Sequence, residues 1–121
     1  MKSQALRDAL TAMAARPEFM GCALVDIEAG MLWHAAGELA SMEEMASASS
    51  DYWRLNRRAQ ASFAELGDLR VAVLMHSLGQ LILSECGKQM LLVVVTQGMK
   101  SIDWAQWKQE HARLARLVNQ I

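Results

Sequence analysis

An α+β fold is what this sequence predicts, with elements in the order α-β-β-α-β-β-β-α. Three observations predict it. Apolar residues recur every three or four positions in three separate stretches, which is the helical period. Between those stretches lie five short apolar runs rich in strand-forming residues. Within each group, the runs are joined by turns of two to four residues, which only antiparallel neighbours can use.

The first helix carries Leu6, Leu10 and Met13 on one face, with Ala5, Ala9, Ala12, Ala14 and Ala15 raising helix propensity around them. Ser3 is its predicted N-cap. Pro17, the sole proline, ends it, because the residue before a proline is pushed out of the helical region. The runs FMGCALVDI (19–27) and MLWHAA (31–36) then read as a hairpin. Glu28-Ala29-Gly30 forms its loop, with the glycine taking the positive φ such a loop needs, and Gly37 closes the second run.

A long helix is predicted over residues 38–66. Its apolar stripe is Leu39, Met42, Met45, Ala48, Tyr52, Leu55, Ala59, Phe63 and Leu66. Glu38, Glu43 and Glu44 sit early and Arg54, Arg57 and Arg58 late, the order that suits the helix dipole. Ser47, Ser49, Ser50 and Asp51 mark a place for a kink, and Gly67 for the stop. Three strands follow, LRVAVLMH (69–76), LILSEC (81–86) and QMLLVVVTQ (89–97), turning at Ser77 to Gln80 and at Gly87-Lys88. Leu91 to Val95 is apolar at every position, as in a strand with both faces covered. The last helix runs from about Ser101 to Asn119, with Trp104, Trp107, His111, Leu114, Val118 and Ile121 as its stripe. No internal repeat or linker divides the 121 residues, so the whole chain, 1–121, is expected to form a single domain.

Composition excludes several classes of function. With 53% apolar residues and 7 glycines, the chain exceeds the ~45–50% apolar-plus-glycine content of ordinary soluble domains, so it is no disordered chain. The charge of −1, with 12 basic against 13 acidic residues, gives no basic stripe for nucleic acid. The longest unbroken apolar run, Met90 to Val95, is far short of the ~20 residues a membrane helix needs. The opening MKSQALRDAL is too polar for a secretory signal. Together with two cysteines that make no disulfide framework, this points to the cytoplasm.

The order and punctuation of these elements resemble the Roadblock / dynein-light-chain family over nearly the whole chain. The features that carry the resemblance are the opening helix, the strand-turn-strand ALVDIEAGML, the Glu-started, Ala-rich long helix, Gly67 before a strand entered at Leu69, the hairpin GQLILSECGKQMLLVVV and the closing helix. The link Thr96 to Lys100, the Ser-rich middle of the long helix and the four tryptophans are particular to this chain. The resemblance implies a five-stranded antiparallel sheet with the first and last helices on one face and the long helix on the other. It also implies a dimer joined through the strand after the long helix. Leu69, Val71, Val73 and Met75 are then the dimer-edge residues, and the helix 38–66 covers the seam. The implied function is a non-enzymatic regulator or scaffold for a small Ras-like GTPase. The alternative is a small-molecule-sensing or general protein-interaction module.

The reactive residue types support no chemistry of their own. Cys22 and Cys86 lie in apolar strand runs and read as buried packing thiols. His34, His76 and His111 lack any HxxxH or CxxC neighbour, so no metal is expected. The interval from Gly79 to Gly87-Lys88 is wrong for a phosphate loop, which excludes the chain as the GTPase itself. Glu43 and Glu44 are adjacent, so on a helix they diverge and cannot act as an acid/base pair. No catalytic residue and no cofactor are expected. The partner interface is expected at Tyr52, Trp53, Arg54, Arg57 and Arg58. Trp53 lies about 100° round from Tyr52, hence outward on this reading. The three arginines read first as solvated charges that match the dipole and only second as contacts for a GTPase. Trp33 is a further interface candidate, or else packs against the sheet.

Overall fold

A computed structural model describes residues 2–87, 89–97 and 102–121. Its elements are α1 (Lys2–Ala14), β1 (Phe19–Asp26), β2 (Leu32–Gly37), α2 (Met42–Ala59), a 3-10 segment (Gln60–Leu66), β3 (Ala72–Met75), β4 (Gly79–Glu85), β5 (Met90–Gln97) and α3 (Trp104–Asn119). The strands make one antiparallel sheet in the order β2-β1-β5-β4-β3.

The central strand explains the layers. Successive side chains of a strand point to opposite faces. On β5, Met90, Leu92 and Val94 enter a core with Leu6, Leu10 and Met13 of α1 and Trp107, Leu114 and Val118 of α3. Leu91, Val93 and Val95 enter the opposite core with Met42, Ala46 and Trp53 of α2. Both faces are covered, so every position of the run is apolar, as expected. The helices divide between the faces as the resemblance implies.

The hairpin β1–β2 turns where expected. Asp26 accepts from the Ala29 amide through its side chain at 2.9 Å and from the Gly30 amide through its carbonyl at 2.8 Å, and Gly30 has φ +68°. At Gly37 a side chain is excluded outright. Its φ is +102°, and an added Cβ would lie 2.8 Å from both the Gly21 Cα and the Met20 carbonyl.

Several boundaries differ from the sequence reading. Ser3 lies within α1 rather than capping it. The serine cluster does not kink α2, because each buried hydroxyl finds a carbonyl inside the helix: Ser49 donates to Met45 at 2.7 Å and Ser50 to Ser47 at 2.6 Å. The helix changes character later, at Gln60, where the 3-10 segment begins and Phe63 leaves helical geometry. The edge strand is shorter than 69–76. Leu69 and Val71 precede β3, because the chain bends after Gly67 and Asp68 is held by the Gln60 amide at 2.8 Å. Asp103 caps α3, its carboxylate accepting from the Gln106 amide at 3.1 Å. Trp104 and Ile121 are 45% and 43% exposed rather than buried. Trp104 is the first residue of α3 and leans edge-on against Trp107, while Ile121 lies beyond the helix end. The expected turn residue Lys88, Gly98 to Lys100 of the last link, and Ser101, the expected start of the last helix, lie outside the described residues.

Candidate functional site

α2 has three faces rather than two. The sheet-facing side carries Met42, Ala46, Ser49, Ser50 and Trp53, all buried. Ala and Ser are small, so the helix sits close to the sheet. A second flank carries Met45, Ala48, Tyr52, Leu55 and Ala59, one helical step after another. Tyr52 is 49% exposed and Leu55 57%. This is most of the stripe read from the sequence; the period was right but the stripe lies beside the sheet instead of on it. The third face is polar, with Glu43, Glu44, Asp51 and Arg58 exposed.

The apolar flank looks along the sheet toward β3. Between them lie two grooves of about 320 Å³ each. One, at the start of α2, is lined by Met20, Leu39, Met45, Leu78, Leu81 and Val95. The other, at its end, is lined by Leu55, Ala59, Phe63, Leu69, Ala72 and Leu74. Phe63 and Leu66 on the 3-10 segment, Met75 on β3 and Leu78 on the β3–β4 turn are exposed.

The two sheet edges are unlike. On β2, Leu24 pairs with His34 and Val25 with Leu32, so Trp33 is an extra residue that bulges the edge. Arg7 lies over the Trp33 ring at 5.5 Å, and His34 meets that ring edge-on at 6.0 Å. Burial, then the Arg7 charge, lowers the His34 pKa. β3 pairs with β4 without interruption from Ala72–Leu83 to Met75–Gln80, so its outer edge is regular. Of the expected edge residues, Val73 is 40% exposed and Met75 63%, while Leu69 and Val71 flank the strand.

Trp53 corrects an expectation. It is buried, and its Nε1 donates to Glu85 at 2.8 Å. Arg57 donates to the same carboxylate at 2.7 and 3.1 Å, and reaches Glu28 and Gln89 at 3.1 and 3.0 Å. Arg54 donates to the Ile27 carbonyl at 2.5 Å and to Ser50 at 3.0 Å, and pairs with Asp51. With Ser47 bonded to the Gly30 carbonyl at 2.8 Å, these contacts fix α2 to the β1–β2 turn and the end of β4. Arg54 and Arg57 are therefore tied inward, whereas Tyr52 and Arg58 face solvent.

Glu85 was missed by sequence reasoning, although a charge inside the apolar run LILSEC was a signal. Burial would raise its carboxyl, but hydrogen bonds from Trp53 and Arg57 and the Arg57 charge outweigh that and hold it below the ordinary range. On the other side of the sheet, His111 Nε2 donates to the Glu85 carbonyl at 2.8 Å and its ring stacks on Trp107 at 5.9 Å. Burial lowers the His111 pKa, with that hydrogen bond opposing. Burial pushes both thiols up to about 12. Cys22 donates to the Leu10 carbonyl at 3.2 Å. Such thiols are protonated at neutral pH and are poor nucleophiles. Among the described residues, no three His, Cys, Asp or Glu side chains converge as metal ligands, and no helix is long and apolar enough to cross a membrane.

Three helices around this five-stranded sheet, with α2 alone on one face, make up the Roadblock/LC7 fold. Solved structures place the chain beside particular proteins of that fold. A Roadblock/LC7 domain from Streptomyces avermitilis is 24% identical, with a TM-score of 0.77 and 94% of each chain covered. The gliding protein MglB from Thermus thermophilus is 18% identical, with a TM-score of 0.77 over 99% of this chain and 93% of that one. Myxococcus xanthus MglB is 16% identical, with a TM-score of 0.68 over 96% and 93%. No family profile matches the sequence, and no curated protein does.

Proposed function

We propose that the chain is a non-enzymatic, cytoplasmic regulator or scaffold that forms a homodimer and binds a small Ras-like GTPase. The observation that carries this reading is that α2 has three unlike faces, one buried on the sheet, one apolar and exposed beside β3, and one polar and exposed, and the reading gives each a task. One face packs on the sheet. The apolar flank, continuous with the regular edge of β3, pairs with a second copy. The outer polar face, with Glu43, Glu44, Asp51 and Arg58, is left for the GTPase. The likeness of the fold to Roadblock/LC7 domains and MglB supports the reading, and one MglB structure is described as a tetrameric arrangement. The bulge at Trp33 supports β3 over β2 as the pairing edge, since a bulge spoils the ladder a second chain would extend.

The GTPase surface is revised accordingly. Trp53, Arg54 and Arg57 hold α2 in position and Tyr52 lies on the flank given to the second copy, while Arg58 and the acidic start of α2 meet the GTPase. A charged rim sets encounter rate and specificity more than affinity. The test is binding of small Ras-like GTPases, in GDP-bound and GTP-analogue-bound states, to the folded wild type and to Glu43→Lys/Glu44→Lys. We expect binding in at least one state and slower association of the double variant at low salt. No binding in either state overturns the GTPase reading, and unchanged association overturns the surface.

A further inference from the structure

We infer that the groove beside Met45 is filled by Phe63 of a second copy of this chain. The inference rests on the dimer reading above and adds which residue of the partner enters which site. Groove and knob lie on the same flank of α2 but at opposite ends. Met45, Leu39 and Leu78 line the groove at its start. Phe63, 52% exposed, stands past its end beside Leu69 and Ala72.

α2 therefore runs antiparallel to β3, from the β3–β4 turn back toward the entry of the strand. Pairing two β3 edges about a two-fold axis through their middle reverses the partner's helix relative to this one. In such an isologous contact, residues before the axis meet residues after it, and each contact occurs twice. With Tyr52 and Leu55 near the axis, the first turn of one α2 faces the 3-10 segment of the other, so Met45 faces Phe63. A monomer would expose both, and Leu66 at 83% and Leu78 at 85% with them.

The occupant is a second copy because the exposed area matches what a dimer needs. The apolar side chains along the flank, the 3-10 segment and the β3 edge, at on the order of 150–200 Å² each when fully exposed, together present roughly 800 Å². That is about what each partner contributes to a standard interface, and more than the ~300–600 Å² patch of a typical monomer.

The test mixes Met45→Cys and Phe63→Cys variants and treats them with a short bifunctional thiol-reactive crosslinker. Both positions are partly exposed, and the native Cys22 and Cys86 are buried and do not compete. We expect crosslinked heterodimer in the mixture and at most the wild-type background in either variant alone. We also expect Phe63→Ala to raise the dimer dissociation constant at least tenfold with the monomer's far-ultraviolet spectrum unchanged. A wild-type dimer whose mixed variants do not crosslink, or crosslinking of Met45→Cys to itself, overturns the inference and leaves the dimer standing. A monomeric wild type overturns the inference and the dimer reading together.

Discussion

Glu85 joins both helical layers through one residue: its carboxylate holds Trp53 and Arg57 of α2, and its carbonyl holds His111 of α3. Trp53→Phe keeps the ring in its core and loses one hydrogen bond to a half-exposed carboxylate, so it should cost about 1 kcal/mol in urea unfolding. Trp53→Ala, which also empties the core, should cost roughly 3–5 kcal/mol. Acid should act through the same residue. The Glu85 carboxyl lies below its unfolded value of 4.5, so the native chain binds fewer protons there. Its contribution is full above that value and is lost as pH falls from it through the lower folded value. His111 has the same sign. Its folded pKa lies below 6.5, so its contribution is full above 6.5 and shrinks as pH falls below it. Urea midpoints should therefore drop in two steps on acidification, with His34, whose folded pKa is lowered as well, adding to the upper one. Glu85→Gln should flatten the lower step and leave the upper one. Midpoints independent of pH between 7 and 4 would show that none of these groups is coupled to folding.

The elements were legible where one face decides the pattern and less so where two faces compete. β5 was read correctly because both faces are apolar cores and no polar residue interrupts the run. α1 and α3 were read from stripes that do face the sheet, apart from Trp104 at the α3 start and Ile121 beyond its end. α2 shows what sequence periodicity leaves open. Its strongest apolar stripe includes exposed Tyr52 and Leu55, and its buried face includes Ala46, Ser49 and Ser50, which hydropathy ranks low. Small residues there win because they bring the helix backbone close to the sheet, and the hydroxyls are satisfied within the helix. For the same reason Trp53, read as outward, is buried, and Glu85 went unnoticed until its partners were seen across the fold. Two substitutions separate these faces. Ala46→Leu should cost about 1–3 kcal/mol by overpacking. Leu114→Ala, on the buried face of α3, should cost roughly 2–5 kcal/mol, and Trp104→Ala far less. Equal losses at 104 and 114 in thermal or urea unfolding would mean that the first turn of α3 is buried as well.

At the scale of the molecule, the two sheet edges are unlike, and the proposed dimer follows from that asymmetry. An unpaired, regular strand flanked by apolar side chains is a template for another chain, and natural proteins cover, charge or distort such edges. β2 is distorted at Trp33, and Arg7 lies over its ring. β3 has no such protection: it is regular, its Val73 and Met75 are exposed, and an apolar groove adjoins it. In the proposed dimer a twin would close that edge, and the two α2 helices would present their polar faces side by side, a composite surface that a single copy lacks. Val73→Lys puts a charge on the pairing edge while leaving both cores intact, since Val73 belongs to neither. We expect light scattering to give twice 13.4 kDa for the wild type and 13.4 kDa for Val73→Lys at micromolar concentration, with monomer secondary structure retained. GTPase binding should weaken in the same variant, because a monomer offers half the composite surface. A Val73→Lys protein that stays dimeric would move the interface to another part of the chain. One that becomes monomeric and still binds the GTPase as tightly would show that each copy carries a complete binding surface of its own.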